Sequence, residues 1–324
     1  MTGHDEVASD VLDIVLPFRR MISAERQCDP FTCAACRAPH LSRIREQIRE
    51  GTPVCFVLPG FPGKSPNLDK VLGPVPDRAE EVALAFLDGL CRKVASVYPP
   101  GARIVICSDG RVFGDQVGIP DEDITLYQAE LRSMISRLGA GHLDLFNLDN
   151  LYGGMSHDDM RRRLDDKYGG DLARLRADVA GGGPELALYR GITRFLFEDA
   201  GGPTRAQGRA ALQRDCRRRA YQVILRSHAW SAVVGDVFPY AVRLSIHPQP
   251  CGSAKLGIRL VEAEDNWLTP WHGVAVSRNG GYTLMKRVEA EKDHDTRLCF
   301  RSARPYEYVL AGREPHASDV EVSR

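Results

Sequence analysis

The sequence predicts an α/β fold, with a Rossmann-like parallel sheet core, a helical insertion and a C-terminal antiparallel β section. Apolar strands at about residues 53–58, 103–108 and 142–148 alternate with stretches of helical periodicity, as in a parallel β-α-β-α-β unit. Residues 156–230 then follow a helical pattern. From residue 242 onward apolar and polar residues alternate with a period of two, which is the pattern of half-buried strands.

We expect four segments along the chain. They are an N-terminal helix and Cys-rich segment (1–50), the Rossmann-like core (51–155), a helical segment (156–235), and antiparallel hairpins that complete the active site and lead into a polar tail (236–324). The first helix is indicated by Val7, Val11 and Ile14, which share one helical face.

Composition excludes some classes of partner. The 324 residues include 43 Lys and Arg against 43 Asp and Glu, so no overall field favours nucleic acid or a membrane surface. No apolar run reaches the length of a membrane span, and the first twenty residues lack the order of a signal peptide. We therefore expect a cytoplasmic protein with neither nucleic acid nor membrane as a partner. In that compartment its nine cysteines are reduced thiols or ligands.

One cysteine cluster has metal-like spacing. Cys28, Cys33, Cys36 and His40 supply four zinc-type ligands within thirteen residues. Structural zinc sites usually add a second pair of ligands from elsewhere in the chain, and no such pair is evident. The pattern therefore favours scattered thiols over a structural zinc, and we expect no required metal.

The loop after the first strand, Pro59–Asn67, is similar to a phosphate-binding loop. Only two residues separate Gly60 from Gly63, whereas a Walker A motif has four, and Pro66 discourages the helix that must follow. The spacing excludes a nucleotidase P-loop. Lys64 and Lys70 remain candidates for binding an anion, and a solvated loop is the alternative.

The second strand ends abruptly in reactive side chains. The apolar run at 104–107 is followed by Ser108, Asp109, Gly110 and Arg111, which predicts the floor of an active site at the carboxyl end of a buried strand. Asp109 is the candidate proton-handling carboxylate. The alternative is that it caps the next turn.

Two further features carry positive charge. The last helix of the helical segment is rich in arginine from Arg205 to Arg219, which indicates either a solvated face or an RNA patch. Residues 242–246 and 255–260 predict an antiparallel hairpin that gathers Arg243, His247 and Lys255 on one face, unless that face is simply solvated. A second hairpin is predicted at 273–278 and 282–287, and a loose polar tail from Glu289 onward.

Five stretches in order resemble one family. They are FVLPGFPGKSPN (56–67), KVLGP (70–74), ICSDGRVF (106–113), VRLSIHP (242–248) and WLTPWHG (267–273). Together they are similar to motifs of the isocyanide (isonitrile) synthases of the pyoverdine/dityrosine biosynthesis family, over roughly residues 28–287.

The resemblance implies an enzyme that converts the α-amino group of L-tyrosine or L-tryptophan into an isocyanide. It implies ribulose 5-phosphate as the one-carbon donor: carbon 2 becomes the isocyanide carbon, the rest of the sugar fragments and phosphate is lost. It implies no metal or organic cofactor. A downstream oxygenase dependent on iron(II) and 2-oxoglutarate is the implied pathway partner.

Candidate site residues follow from that chemistry. Imine formation and fragmentation need general acids and bases, and a sugar phosphate needs cations. The catalytic candidates are Asp109, His247 and His272. The substrate-binding candidates are Lys64, Ser65, Lys70, Ser108, Arg111, Phe113, Arg243, Ser245, Lys255 and Trp271, with Arg111 for the amino acid carboxylate and Phe113 and Trp271 for its aromatic ring.

Two alternatives stay open from the sequence. A sugar-phosphate isomerase or aldolase would account for the cations and acid–base groups without an amino acid substrate. An RNA-binding module would account for the arginine-rich helix. A dehydrogenase is disfavoured, because no G-x-G-x-x-G follows any of the three strands.

Overall fold

The computed structural model describes residues 3–22, 28–200, 208–263, 268–278, 280–310 and 320–322. Two five-stranded sheets organise these residues, and the helices pack mainly around the first of them. The helices are α1 (Gly3–Val15), α2 (Ala34–Arg49), α3 (Arg78–Ala95), α4 (Gly110–Val117), α5 (Asp121–Arg137), α6 (Leu148–Tyr152), α7 (His157–Tyr168), α8 (Leu172–Gly181), α9 (Pro184–Asp199), α10 (Arg209–Val237) and α11 (Arg287–Lys292), with 3-10 turns at Leu16–Phe18 and Pro270–His272.

The first sheet is entirely parallel. Its strands are β1 (Val54–Pro59), β2 (Ala102–Cys107), β3 (Leu143–Phe146), β4 (Val242–Ser245) and β5 (Lys255–Gly257). They lie in the order β3-β2-β1-β4-β5. The predicted Rossmann-like core is therefore confirmed, together with the strand–helix alternation that predicted it.

Both faces of this sheet are buried, as the continuous apolar strands require. Val54, Phe56 and Leu58 of β1 pack with α1 and α3 on one face. Cys55 and Val57 point the other way, into a cluster with α7 and α10. The central strand thus contributes to a core on each side.

Helix α3 begins at a capping box, as the Asp77-x-x-Glu80 spacing predicts. The Asp77 carboxylate accepts a hydrogen bond from the backbone N–H of Ala79 at 2.8 Å, and Glu80 accepts one from the backbone N–H of Asp77 at 3.0 Å. Both carboxylates are buried. The cap therefore places two buried negative charges beside the loop after β1.

The second sheet is mixed and C-terminal. It contains β6 (Val274–Arg278), β7 (Gly281–Met285), β8 (Thr296–Arg301), β9 (Arg304–Leu310) and β10 (Val320–Val322), in the order β10-β8-β9-β6-β7. The predicted hairpin of β6 and β7 is confirmed. The predicted loose tail from Glu289 onward is wrong for β8 and β9, because apolar residues such as Tyr306, Tyr308 and Val309 pack beneath a polar strand surface.

The predicted antiparallel hairpin of residues 242–246 and 255–260 is also wrong. β4 and β5 pair in parallel, with Arg243 opposite Lys255. A period of two places side chains on faces but does not fix strand direction. Here the loop 246–254, which turns at Gly252 with a φ of +74°, returns the chain to the end of the sheet where β4 begins, so that β5 pairs with β4 in the parallel sense.

In the described part of the chain, no helix combines the length and the apolar character that crossing a membrane requires.

Candidate active site

The strand order creates a crevice beside the end of β1. The chain leaves β1 toward β2 on one side, while β4 lies on the other, and parallel sheets bind ligands at such a switch point outside their carboxyl ends. The residues that follow these strands are Gly60 and Phe61 after β1, Ser108 and Asp109 after β2, and Ile246 and His247 after β4. The topology therefore gathers three predicted motifs at one edge.

Asp109 has the properties of an acid–base group. It lies at the N-cap position of α4, yet its side chain makes no capping hydrogen bond. Its Oδ1 atom is shielded from solvent and has no hydrogen-bond partner among the described residues. Burial raises the pKa of Asp109 to about 7. Such a carboxyl group can accept or donate a proton near neutral pH, so the capping alternative does not account for it.

Close backbone packing fixes the position of Asp109. A Cβ atom on Gly110 would lie 1.8 Å from the Pro62 carbonyl oxygen, so only glycine permits this approach. The Ser108 hydroxyl donates a hydrogen bond to the Phe61 carbonyl at 2.8 Å. Phe61 itself has a φ of +56°, which is unusual for a residue with a side chain. Ser108 is thus a buried link between two loops.

Lys64 lies in a buried ion cluster. Its Nζ atom is 2.8 Å from Asp77, 2.8 Å from Glu80 and 3.0 Å from the Pro270 carbonyl oxygen. Burial alone would lower the pKa of Lys64, but these two carboxylates raise it, so the ammonium group stays charged. All three ammonium donors have acceptors, which leaves Lys64 holding loops together. Ser65 is buried beside it and donates its backbone N–H to the Trp271 carbonyl.

Lys70 and His272 meet on Asp199, a residue that sequence reasoning missed. The buried Asp199 carboxylate forms an ion pair with Lys70 and lies 3.5 Å from Nε2 of His272. The other ring nitrogen, Nδ1, is 2.9 Å from the Thr269 hydroxyl. Although burial raises the pKa of Asp199, His272 and Lys70 bring it below its ordinary value. An aspartate that orients a partly exposed histidine is a common acid–base arrangement.

Two cations lie on β4 and β5. Arg243 and Lys255 are register partners on neighbouring strands. Among the described residues, neither has a carboxylate within ion-pair distance; Arg243 donates instead to the carbonyl and hydroxyl of Ser231. Burial and the charge of Arg243 lower the pKa of Lys255. Two half-buried cations without a counter-ion indicate an anion-binding site.

His247 lies just after β4. It is exposed, and its backbone N–H donates to the Ser245 hydroxyl at 3.1 Å. Desolvation and then the charges of Arg20, Lys255 and His272 lower the pKa of His247. The lowered pKa favours the neutral ring, which can serve as a base beside a bound anion.

Three other predicted residues lie in packed surroundings. Arg111 is buried and donates to Asp121 and Thr125 on α5. Phe113 packs between two apolar clusters near α10. Trp271 is 2% exposed in the main core, with its ring centroid 5.0 Å from that of Phe61.

The arginine-rich helix is partly neutralised within the described residues. Arg218 and Arg219 both pair with Asp215, at 2.7 and 2.8 Å, and Arg226 pairs with Asp115. Arg205 lies outside the described residues, as does Trp267 of the last motif.

The cysteine cluster differs from the one predicted. The observed cluster contains Cys28, Cys33, Cys36 and Cys251. Its four sulfur atoms all lie within 4.8 Å of one another. His40 is buried apart from this group, and desolvation followed by the charges of Arg19 and Arg43 lowers its pKa to about 4.

Comparison with known proteins identifies the family. The sequence profile of the family described as pyoverdine/dityrosine biosynthesis protein matches residues 44–298. The chain belongs to this family. A member from Pseudomonas aeruginosa, the L-tyrosine isonitrile synthase, is 45% identical over 293 residues, covering 89% of each chain. The L-tryptophan isonitrile synthase AmbI2 of Fischerella ambigua is 40% identical over 299 residues, or 92% of this chain and 91% of the relative.

The family's fold matches as well. The crystal structure of the PvcA protein from Pseudomonas aeruginosa superimposes with a TM-score of 0.87 at 43% identity, covering 94% of this chain and 99% of that one. The resemblance to isocyanide synthases drawn from five short motifs is therefore confirmed along nearly the whole chain.

Proposed function

We propose that this protein is an isocyanide synthase that converts the α-amino group of L-tyrosine or L-tryptophan into an isocyanide with ribulose 5-phosphate as the one-carbon donor. The observation that carries the proposal is the identity of 40% and 45% to enzymes named for those two amino acids, over about nine-tenths of the chain. Carbon 2 of the sugar becomes the isocyanide carbon, and the remainder leaves as fragments and phosphate.

The site geometry supports separate roles for two parts of the crevice. Arg243 and Lys255, without carboxylate partners among the described residues, bind the phosphate group. Asp109, with its pKa raised to about 7, transfers protons as the imine forms and breaks down. His272, oriented by Asp199, and the neutral His247 provide further acid–base groups.

The remaining predicted residues shape the site. Lys64, Ser65 and Ser108 fix the loops, whereas Lys70 holds Asp199 in place. For Arg111 to bind the amino acid carboxylate, it would have to exchange its contacts with Asp121 and Thr125. The reaction requires no metal or organic cofactor, and an oxygenase dependent on iron(II) and 2-oxoglutarate consumes the product.

Mass spectrometry with labelled substrate tests this proposal. The protein is incubated with ribulose 5-phosphate labelled at carbon 2 and with either tyrosine or tryptophan. We expect one of the two amino acids to yield an isocyanide that carries the label. An unlabelled product, or no product from either amino acid, would reject the assignment.

The same incubation separates the synthase from a sugar-phosphate isomerase or aldolase. A synthase consumes ribulose 5-phosphate only when the amino acid is present, because the amine forms the first bond to the sugar. Equal consumption without an amino acid would favour the isomerase or aldolase.

A further inference from the structure

Four thiols from distant parts of the chain meet in one place. Cys28 and Cys33 precede α2, and Cys36 lies in its first turn, whereas Cys251 belongs to the loop 246–254. The Sγ atom of Cys251 is 3.2 Å from that of Cys36 and 3.7 Å from those of Cys28 and Cys33. The Sγ atoms of Cys28 and Cys36 are 3.3 Å apart.

These separations fit a metal site better than disulfides. Sulfur atoms about 2.3 Å from a tetrahedral zinc ion are about 3.8 Å from one another. A disulfide would need a sulfur–sulfur distance of about 2.05 Å, and all nine cysteines are free thiols. Four of the six separations are 3.2 to 3.7 Å, and all six are within 4.8 Å, so the four sulfurs already have nearly the spacing of a ZnS4 tetrahedron.

The surroundings of the cluster suit a negatively charged centre. The Arg19 side chain and the backbone N–H of Gly252 both lie beside the Cys36 sulfur. Within the described residues, the Nε and Nη1 atoms of Arg19 are buried without any hydrogen-bond partner. A buried guanidinium group needs a nearby negative charge. A zinc ion with four thiolates carries a net charge of about −2 and supplies it.

We propose that Cys28, Cys33, Cys36 and Cys251 form a structural zinc site. Four protein ligands leave no open position, so the metal serves architecture and not catalysis. It joins the start of α2 to the loop 246–254, which also carries His247 and returns the chain from β4 to the parallel strand β5. The fourth ligand is Cys251, not His40 as the spacing alone predicts.

Metal analysis of the full chain, purified under reducing conditions without a histidine tag, tests the site. We expect elemental mass spectrometry to find about one zinc ion per chain. After chelation, added cobalt(II) should show the strong thiolate charge-transfer and tetrahedral ligand-field bands of a sulfur-ligated site. Chelation should also speed proteolytic cleavage within 246–254. A chain without zinc that gives no such cobalt spectrum would overturn the proposal.

Matched variants identify the ligands. Cys251→Ala should lower the zinc content at least fivefold, whereas His40→Gln and Cys216→Ala, a buried cysteine outside the cluster, should keep it. Zinc retained by a folded Cys251→Ala chain, or lost from a folded His40→Gln chain, would contradict the ligand assignment. If Cys251→Ala fails to fold, the zinc content and cobalt spectrum of the unaltered chain still decide the matter. Neither readout depends on the proposed enzymatic activity.

Discussion

Substitution of Asp109 tests its proposed role in proton transfer. Asp109→Asn should abolish isocyanide formation, because an amide cannot transfer the proton. At pH 8 the variant should be more stable than the unaltered chain by about 1 to 3 kcal/mol, since it removes a carboxylate whose shielded Oδ1 atom has no hydrogen-bond partner among the described residues. Product analysis and urea unfolding measure the two effects. Full turnover by a folded variant would remove Asp109 from the mechanism.

The pH dependence of stability follows from the same carboxyl group. Its pKa rises from 3.8 to about 7 on folding. Between those values the folded chain holds a proton that the unfolded chain has lost, so this group's contribution to stability falls as pH rises through that window. Comparison of unfolding free energies at pH 5 and pH 8 should show a clearly larger gain from Asp109→Asn at pH 8 than at pH 5. An equal gain at both values would contradict the raised pKa.

Lys255 should act mainly on binding of the sugar phosphate. Lys255→Ala is expected to raise the KM for ribulose 5-phosphate at least tenfold, because a charge-assisted hydrogen bond contributes about 1.5 to 3 kcal/mol. The KM for the amino acid should change little. Lys292→Ala, an exposed lysine on α11, is the matched control. An unchanged KM in the Lys255 variant would argue against a phosphate site on β4 and β5.

At the scale of elements, the contact between α4 and the loop after β1 depends on glycine at position 110, which has no side chain. Gly110→Ala would place a Cβ atom 1.8 Å from the Pro62 carbonyl oxygen and force the two segments apart. We expect a loss of stability of about 1 to 3 kcal/mol and a lower kcat, as Asp109 shifts with the loop. Gly89→Ala in α3, where an added Cβ meets nothing within 4 Å, should instead stabilise the chain slightly. Equal effects of the two substitutions would contradict this packing.

Substitution of Lys64 shows whether this residue stabilises the fold or binds the substrate. Lys64→Met removes the partner of the buried Asp77 and Glu80 carboxylates, so we expect about 3 to 5 kcal/mol of destabilisation in urea unfolding. Lys292→Met should change stability by less than about 0.5 kcal/mol. A stable Lys64→Met chain with only a raised KM for ribulose 5-phosphate would return Lys64 to the phosphate-binding role predicted from the sequence.

At the scale of the whole molecule, the C-terminal strands should be essential to stability. β9 lies between β8 and β6, and its buried Glu307 pairs with Arg78 at 3.1 Å. A chain that ends at Asp295 loses the buried Tyr306, Tyr308 and Val309, which contribute about 5 to 9 kcal/mol. We expect it to be insoluble, or to melt at least about 10 °C lower. A chain that ends at Leu310 loses, of the described residues, the edge strand β10 alone and should melt close to the full chain. Equal melting of both would contradict this packing.

Local patterns identified the parts of the molecule that neighbours along the chain determine. The capping box of α3, the three apolar strands and the hairpin of β6 and β7 depend on residues within a few positions of one another, and each was predictable. The position of Asp109 at the end of β2 was also predictable, because an apolar strand ending in a carboxylate is a local signal.

Contacts between residues that are distant along the chain could not be predicted from local patterns. Asp199 ends α9 and gives no local sign that it will meet Lys70 and His272. Cys251 lies 223 residues from Cys28, so the fourth thiol of the cluster was invisible to spacing. The alternation in β4 and β5 placed Arg243 and Lys255 on one face, yet it carried no information on strand direction, and only the parallel pairing makes the two residues neighbours.

The sequence by itself therefore determined the fold class, the family and the polar end of β2, because these depend on local pattern and on short motifs. Only the tertiary structure decided which charges are free to bind a substrate. Lys64 and Lys255 look alike in the sequence, but folding brings two carboxylates to Lys64 and, among the described residues, none to Lys255. The free energy of a buried charge depends on its partners in space, and the tertiary structure supplies those partners.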